Sequence, residues 1–266
     1  MRASYPYLYK TLIALFAAFT SIHLTSADCL TDVETYMFNQ DARAAEKLGS
    51  PLRTGEGSRI YRSNHPSPRT LLFLEGYENT PRDHAPFFEA LNRYGYTVIA
   101  PLLTGFGLEN DPVAMIRKKR PTHELAWIQE ATEIAAQVRA CAGDVLLGGF
   151  STGAVVALHL ATIDQSYKNP ILIVSPAIRL NHETFLRPLV SIFRLFTETI
   201  TIQTIKKLAG LFDPKQLSPN AAYDWRLSNL KSVLRVIRIL RKDAKLQATR
   251  PFLPPIIGFL SEGDPV

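Results

Sequence analysis

The stretch DVLLGGFSTGAVVALHLA, residues 144–161, decides the fold that we expect for this chain. It begins as an apolar run typical of a buried strand and ends as an apolar segment typical of a buried helix. Ser151 lies between the two, in the pattern Gly-x-Ser-x-Gly that Gly149 and Gly153 complete. Glycines permit a turn too tight for side chains, so the turn lifts Ser151 Oγ above the strand end. The pattern therefore predicts a nucleophile elbow.

A Gly/Ser turn in an ordinary βα unit is the alternative interpretation of the same motif. The strand before the motif and the helix after it favour the elbow, because an elbow is a strand-to-helix turn. At the start of that helix, the backbone amide of Thr152 can face a developing negative charge. The motif thus offers Ser151 as a nucleophile and Thr152 as a donor to an oxyanion.

The chain has 266 residues, of which 46% are hydrophobic and 20% charged, and these values predict one large α/β domain. Its first residues differ from the rest: Arg2 and Lys10 precede an apolar run over 12–24, which small residues follow. These features predict a signal peptide over 1–27 and an exported mature domain, periplasmic or secreted, over 28–266. An N-terminal membrane anchor is the alternative, although the apolar run is shorter than the ~20 residues that span a bilayer.

The cysteines and the charge distribution add two further expectations. Export would place Cys29 and Cys141 in an oxidising compartment, where these two cysteines allow one intramolecular pairing. The sequence leaves open whether that disulfide forms or both thiols stay unpaired.

The formal charge of +6 includes a basic segment over 231–250, in which basic and apolar residues recur at helical spacing. This pattern predicts an amphipathic basic helix. We favour a helix packed on the sheet with a solvated basic face; peripheral contact with a membrane surface or with acidic substrates is the alternative. Neither an aromatic-interleaved basic patch nor zinc-ligand spacing indicates a nucleic-acid partner.

Apolar runs bounded by turn residues alternate with helical segments, which predicts a mostly parallel sheet flanked by helices. The expected strands are 59–62, 70–74, 96–100, 145–148, 171–174 and 256–260. The expected helices are 84–94, 122–142 and 154–161. In the longest helix, Thr122 is the expected cap, and the expected buried face consists of Leu125, Ile128, Ala131, Ala135 and Val138.

The segment 179–229 contains apolar helical clusters and no clear strand. An apolar helical insertion at the catalytic end of a parallel sheet predicts a cap that covers the substrate. Extra packing helices are the alternative.

Acyl transfer by serine needs a base, a carboxylate that holds the base, and amide donors for the oxyanion. The turn after the strand over 70–74 supplies a donor, because Gly76 lets the backbone approach and the amide of Tyr77 follows it. We therefore assign the oxyanion hole to the amides of Tyr77 and Thr152.

Three stretches together resemble the α/β-hydrolases, and within them the small carboxylesterases and monoacylglycerol-lipase-like enzymes. They are LLFLEGYENTPRDHAPFFEALNRYGYTVIAPLLTGFG (71–107), GGFSTG (148–153) and PPIIGFLSEGDPV (254–266). The resemblance implies the α/β-hydrolase fold and ester hydrolysis without a metal or an organic cofactor. It also implies that Asp264 is the triad carboxylate, whereas an Asp that caps a glycine turn is the alternative.

The chain departs from the family's pattern at several positions. Glu75 stands where relatives carry a histidine, and Phe106 separates two glycines where relatives carry Gly-His-Gly. A carboxylate beside an oxyanion is unfavourable, so we expect Glu75 to point away and to pair with a neighbour such as Arg82.

The sequence ends two residues after Asp264, before the position of the family's catalytic histidine. His159 lies in the helix after the elbow, where core packing is expected, and His182 is a minor candidate for the base. We therefore expect a truncated form that lacks the last strand and helix and is inactive or impaired as given.

These observations predict a serine hydrolase that cleaves a small-molecule ester or lipid through an acyl-enzyme on Ser151. A non-catalytic binding protein of the same fold is the alternative. The fold leaves peptidase, thioesterase and acyltransferase activities open.

Overall fold

The computed structural model describes residues 25–65, 68–77, 79–109, 123–178, 187–188, 190–191, 199–200, 225–247 and 254–259. The helices are α1 (Thr25–Leu48), α2 (Ala85–Arg93), α3 (Glu124–Ala142), α4 (Thr152–Ile163) and α5 (Leu227–Gln247). The strands are β1 (Arg59–Tyr61), β2 (Arg69–Leu74), β3 (Tyr96–Ala100), β4 (Val145–Phe150), β5 (Ile171–Val174), β6 (Thr199–Ile200), β7 (Trp225–Arg226) and β8 (Ile256–Phe259).

A six-stranded sheet in the order β1-β3-β2-β4-β5-β8 forms the centre of the molecule. β1 runs antiparallel to β3, and every other neighbouring pair is parallel. These are the six strands that the sequence predicts, with no end shifted by more than two residues. The expected α/β class with a mostly parallel sheet is therefore confirmed.

Helices cover both faces of this sheet, as the alternation of side chains along β2 shows. Leu71 and Phe73 belong to a cluster with Phe88 of α2 on one face. Leu72 and Leu74 belong to the larger core, to which α1, α3, α4 and α5 contribute on the other face. Because successive strand residues point to opposite faces, one strand supplies both cores.

The longest predicted helix is correct in extent but wrong in two details. It begins at Glu124, so His123 and not Thr122 occupies the cap position. Leu125 is 70% exposed, whereas Trp127 is fully buried. Trp127 packs against Phe106, and its indole N–H donates to the carbonyl of Thr104 at 2.8 Å. The buried face is therefore rotated toward Trp127, because the large indole ring fills the core and leaves Leu125 in solvent.

Helix α5 is the predicted basic helix, but it packs on helices rather than on the sheet as we expected. Its buried apolar residues are Leu230, Val233, Leu234, Val236, Ile237 and Leu240. They contact α4 and α3, so the helix covers the helical layer rather than the sheet itself. One basic side chain, Arg235, pairs with Glu124 of α3 at 2.6 Å.

Helix α1 has no counterpart among the sequence predictions. A disulfide between Cys29 and Cys141 joins it to the end of α3, with a Cα–Cα distance of 5.7 Å. The backbone N–H and the hydroxyl of Ser58 donate to the buried carboxylate of Asp41 on the same helix. Burial raises the pKa of Asp41 to about 6. The disulfide between Cys29 and Cys141, which the sequence left open, is therefore present in the structure.

The predicted cap segment contains strands, contrary to expectation. β6 pairs with β7 antiparallel, through Thr199 with Arg226 and Ile200 with Trp225. The expected cap helices fall largely on residues 179–186, 189, 192–198 and 201–224, which lie outside the described residues. The predicted signal peptide falls on 1–27, of which 1–24 lie outside them as well. Among the helices described, none has the length and apolar character needed to cross a membrane.

The strand β8 forms the outer edge of the described sheet beyond β5. Ile256, Ile257 and Phe259 are 45%, 50% and 58% exposed, respectively. In the part of the chain that the structure describes, β5 is the one strand that pairs with β8. This edge therefore presents apolar side chains and unpaired backbone groups.

Candidate functional site

Ser151 lies at the junction between β4 and α4 in a backbone conformation that few serines adopt. Its φ is 50° and its ψ is −111°. Its N–H donates to the carbonyl of Val174 at 2.9 Å, and its own carbonyl accepts from the N–H of Ala177 at 3.1 Å. A non-glycine residue with positive φ costs free energy, and these hydrogen bonds to the end of β5 help to hold it.

The two glycines of the motif are in contact with backbone atoms. A Cβ on Gly149 would lie 2.4 Å from the carbonyl carbon of Gly153. A Cβ on Gly153 would lie 2.0 Å from the carbonyl oxygen of Leu74 and 2.5 Å from that of Glu75. The start of α4 therefore presses directly on the end of β2, and no side chain fits between them.

The loop after β2 contains the second predicted oxyanion donor. A Cβ on Gly76 would lie 2.6 Å from the ring of Phe150, so this backbone lies against the residue before Ser151. The N–H of Asn79 donates to the carbonyl of Gly76 at 3.2 Å and closes a turn around Tyr77. The ring of Tyr77 packs edge-on against Phe106, with 6.1 Å between centroids.

Thr152 is the first residue of α4 and is fully buried. The first amides of a helix have no acceptor within the helix, and the helix dipole adds positive potential at this end. Its Oγ1 has no hydrogen-bond partner among the described residues. This helix start can therefore stabilise a negative charge that develops near Ser151.

The partner of Glu75 is His84, and the expected pair with Arg82 is wrong. Glu75 Oε2 lies 2.7 Å from His84 Nδ1, and the carboxylate is fully buried. The ring N–H is not aligned with the carboxylate, so we describe the contact as a close ion pair rather than a hydrogen bond. Arg82 contacts Glu56 instead, at 3.7 Å. His84 caps α2 below the sheet end, which places it nearer to the buried carboxylate than the exposed Arg82.

Burial and charge act against each other in this pair. Burial raises the pKa of Glu75, and the adjacent His84 offsets part of that rise. Burial lowers the pKa of His84, but the Glu75 carboxylate raises it by more, so it lies above its usual range. Asp83 raises both pKa values further. The pKa values of both groups therefore lie above their usual ranges.

The remaining predicted site residues are not brought to Ser151 by the described part of the chain. Asp264 and His182 lie outside the described residues. His159 is buried in α4, as expected for a core residue. Among the described histidines, we find none that hydrogen-bonds to Ser151.

Sequence reasoning missed two features of this site. His84 was passed over because it precedes the elbow by 67 positions along the chain, yet its ring lies 5.0 Å from that of Phe150. Ser175 also has a positive φ, of 41°, at the end of β5 beside the elbow. The Ser-Pro pair at 175–176 is a turn signal that could have marked that strand end.

A separate cavity of about 280 Å³ lies between α1 and α3. Thr104, His123 and Glu130 line it together with Arg43 and Lys47 of α1. Burial raises the pKa of Glu130 to about 7, although Thr104 donates to its carboxylate. Neither Ser151 nor Tyr77 lines this cavity. In the described part of the chain, no group of three or more His, Cys, Asp or Glu residues could hold a metal ion.

The model of the family described as "Alpha/beta hydrolase family" matches residues 72–266. A comparison with the curated protein sequences found no match.

Several solved structures share the fold at low sequence identity. One, from a study of LipS and LipT, two metagenome-derived lipolytic enzymes, has a TM-score of 0.54 at 16% identity and covers 79% of this chain and 78% of its own. The monoacylglycerol lipase of Paleococcus ferrophilus has a TM-score of 0.52 at 16% identity, with 76% and 77% covered. The dioxygenase QDO, 1H-3-hydroxy-4-oxoquinoline 2,4-dioxygenase, has a TM-score of 0.51 at 14% identity, with 77% and 78% covered. These similarities show a common fold, which different chemistries use.

Proposed function

Because the chain belongs to the alpha/beta hydrolase family, we propose that it is a serine hydrolase of the esterase or lipase type, with Ser151 as its nucleophile. The observation that carries this proposal is the backbone of Ser151, held at φ 50° between β4 and α4. Strained backbone at a strand-to-helix junction is retained where it serves to expose a side chain. The lipolytic neighbours of the same fold support an ester or lipid as the substrate class.

In the proposed reaction, Ser151 Oγ attacks the carbonyl carbon of the ester. The amides of Tyr77 and Thr152 bind the oxygen that becomes negative, and each such donor supplies about 3 kcal/mol of transition-state stabilisation. The general base takes the proton of Ser151 Oγ and gives it to the leaving alcohol, which leaves an acyl-enzyme on Ser151. The base then takes a proton from the water that attacks this ester and returns it to Ser151 Oγ as the acid leaves. We propose that Asp264 orients that base, which is a histidine in the usual triad.

Two further parts of the proposal concern the surroundings of the site. We infer that the segment 179–229 caps the substrate, and the β6 and β7 pair gives this insertion some structure of its own. We also infer export after cleavage of residues 1–27, and the Cys29–Cys141 disulfide is compatible with an oxidising compartment. Peripheral contact with a membrane surface remains part of the proposal, through exposed basic side chains of α5 such as Arg238.

A non-catalytic binding protein of the same fold is the second candidate function. The buried carboxylate of Glu75 favours it, because a negative charge one residue from Gly76 opposes an oxyanion at the same loop.

Labelling with a fluorophosphonate probe distinguishes the two candidates. With the catalytic base present, we expect the protein to be labelled at Ser151, and Ser151→Ala to abolish labelling, because the probe reacts with an activated serine. Ser175→Ala is the matched control, since Ser175 also has positive φ at a neighbouring strand end. Mass spectrometry of the labelled peptide locates the probe. Labelling that persists in Ser151→Ala, or a folded protein that is not labelled, would contradict the enzyme.

A further inference from the structure

A buried carboxylate and a histidine face each other directly below the loop that carries Tyr77. Glu75 is the residue after β2, and its side chain is fully buried. The free energy of burying a charged carboxylate is unfavourable unless a partner compensates it. The chain therefore maintains this pair at a cost in free energy, and the contact between Glu75 and His84 offsets part of it.

His84 and Gly76 both contact the residue that precedes the nucleophile. The ring of His84 lies 5.0 Å from the ring of Phe150 and 6.2 Å from that of Phe73. The backbone of Gly76 lies against the same Phe150 ring. Phe150 thus connects the partner of Glu75 with the loop after β2 and with the residue next to Ser151.

The backbone of Glu75 is also in contact with the elbow. Its carbonyl oxygen and that of Leu74 abut Gly153, with no space for one additional carbon atom. A displacement of Glu75 therefore moves the backbone against which α4 begins. The same displacement moves Gly76 and Tyr77, which follow it in the chain.

We propose that Glu75 and His84 are positioning residues, whose close contact fixes the 74–77 loop against the elbow and so sets the oxyanion donors. The proposal rests on the proposed function, because it assigns a role in the same reaction. Glu75 does not touch the substrate in this scheme; it acts through the backbone of its own loop.

The pair makes the loop dependent on pH. The pKa of His84 lies above its usual range, so the ion pair is lost as pH rises through that pKa. As pH falls through the raised pKa of Glu75, protonation of the carboxylate removes the ion pair as well. Above the pKa of His84, the buried Glu75 carboxylate remains without a charged partner. Asp83 on the α2 side and Tyr61 on β1 are the other titratable groups whose charges couple to the pair. A triad histidine has the opposite effect, since activity appears as it loses its proton.

The test measures hydrolysis of a p-nitrophenyl ester and fluorophosphonate labelling from pH 6 to pH 10. His84→Gln leaves the carboxylate unpaired, so we expect kcat to fall roughly tenfold to hundredfold with little change in KM. In the unmodified protein, we expect activity to decline at alkaline pH as the ion pair is lost. Glu75→Gln removes the buried charge, so we expect this decline to disappear. The double variant Glu75→Gln/His84→Gln is expected to recover most of the activity that His84→Gln loses, because no uncompensated charge remains.

Glu124→Gln is the matched control, because Glu124 is also a buried carboxylate with a cationic partner, Arg235, but lies away from the loop. We expect it to leave kcat and the pH profile unchanged. Circular dichroism confirms that each variant is folded. A folded His84→Gln with the kcat of the unmodified protein, or an alkaline decline that persists in Glu75→Gln, would overturn the proposal. Absence of both labelling and hydrolysis in the unmodified protein overturns the proposed function first, and this role with it.

Discussion

The end of β2 and helix α5 both pack against helix α4, β2 through backbone atoms at the elbow and α5 through side chains. At the elbow, Gly153 of α4 meets the backbone of Leu74 and Glu75 with no side chain between them. Helix α5 meets α4 through side chains such as Val233 and Ile237. Backbone atoms in contact leave no torsion angle that can absorb a change, whereas packed side chains can repack in part. We therefore expect an atom added at the elbow to lower the free energy of unfolding strongly. Substitutions in α5 should lower it in proportion to the number of atoms removed.

The largest effect is expected for Gly153→Ala, which adds one carbon atom where the nearest oxygen would be 2.0 Å away. We expect a loss of about 4 kcal/mol in the free energy of unfolding or failure to fold, because overpacking against backbone cannot relax. Urea denaturation measures it. Gly143→Ala is the control: its φ is 71° but no atom lies within 4 Å of the added carbon, so about 1 kcal/mol is expected. Equal losses in the two variants would contradict the backbone contact.

A smaller effect is expected for Ile237→Ala in α5, whose side chain is fully buried. Truncating the Ile237 side chain to a methyl group should lower the free energy of unfolding by about 3 kcal/mol, because the loss of apolar burial and the cavity left behind add. The folded variant should still be labelled at Ser151 at the unmodified rate, because the loss is spread through side-chain packing. Arg238→Ala, on the exposed face, should change stability by less than about 0.5 kcal/mol. A loss of labelling in folded Ile237→Ala would indicate that α5 shapes the elbow after all.

An effect smaller than that of Ile237→Ala is expected for Arg235→Ala, which removes the cation beside Glu124. Exposed ion pairs contribute at most about 1 kcal/mol, and Arg235 is about half exposed, so we expect a loss of about 1 kcal/mol. Thermal unfolding at low and high salt measures this loss. The difference in stability between Arg235→Ala and the unmodified protein should shrink at high salt, because ions screen the pair. A loss as large as that of Ile237→Ala would mean that charge rather than apolar packing attaches α5.

The sequence predicted the strands and most helices because their signals are local. The apolar run ending at Gly149 indicates a strand whatever lies elsewhere, and the helical spacing around Ile237 indicates an amphipathic helix. The error at Leu125 has the same origin. Several faces of α3 carry apolar residues, and the one that is buried depends on where Trp127 fits in the core.

The candidate site was predicted less completely than the fold. The motif identified Ser151 and Thr152, and the glycine after β2 identified the loop with Tyr77. The pairing of Glu75 was predicted wrongly, since charge alone favours Arg82 and sequence spacing does not show which cation lies at the buried end of the strand. Only the packing of α2 against Phe73 places His84 there.

By itself, the sequence determined the βα units, the turn at Ser151 and the amphipathic helix α5, because residues within a few positions of one another set these features. The tertiary structure decided the disulfide of Cys29, the pair of Glu75 with His84 and the hydrogen bonds that hold Ser151 to the end of β5. Each of these joins segments that are distant in the chain. Their formation depends on distances of a few ångströms that the whole core sets, and no local pattern encodes them.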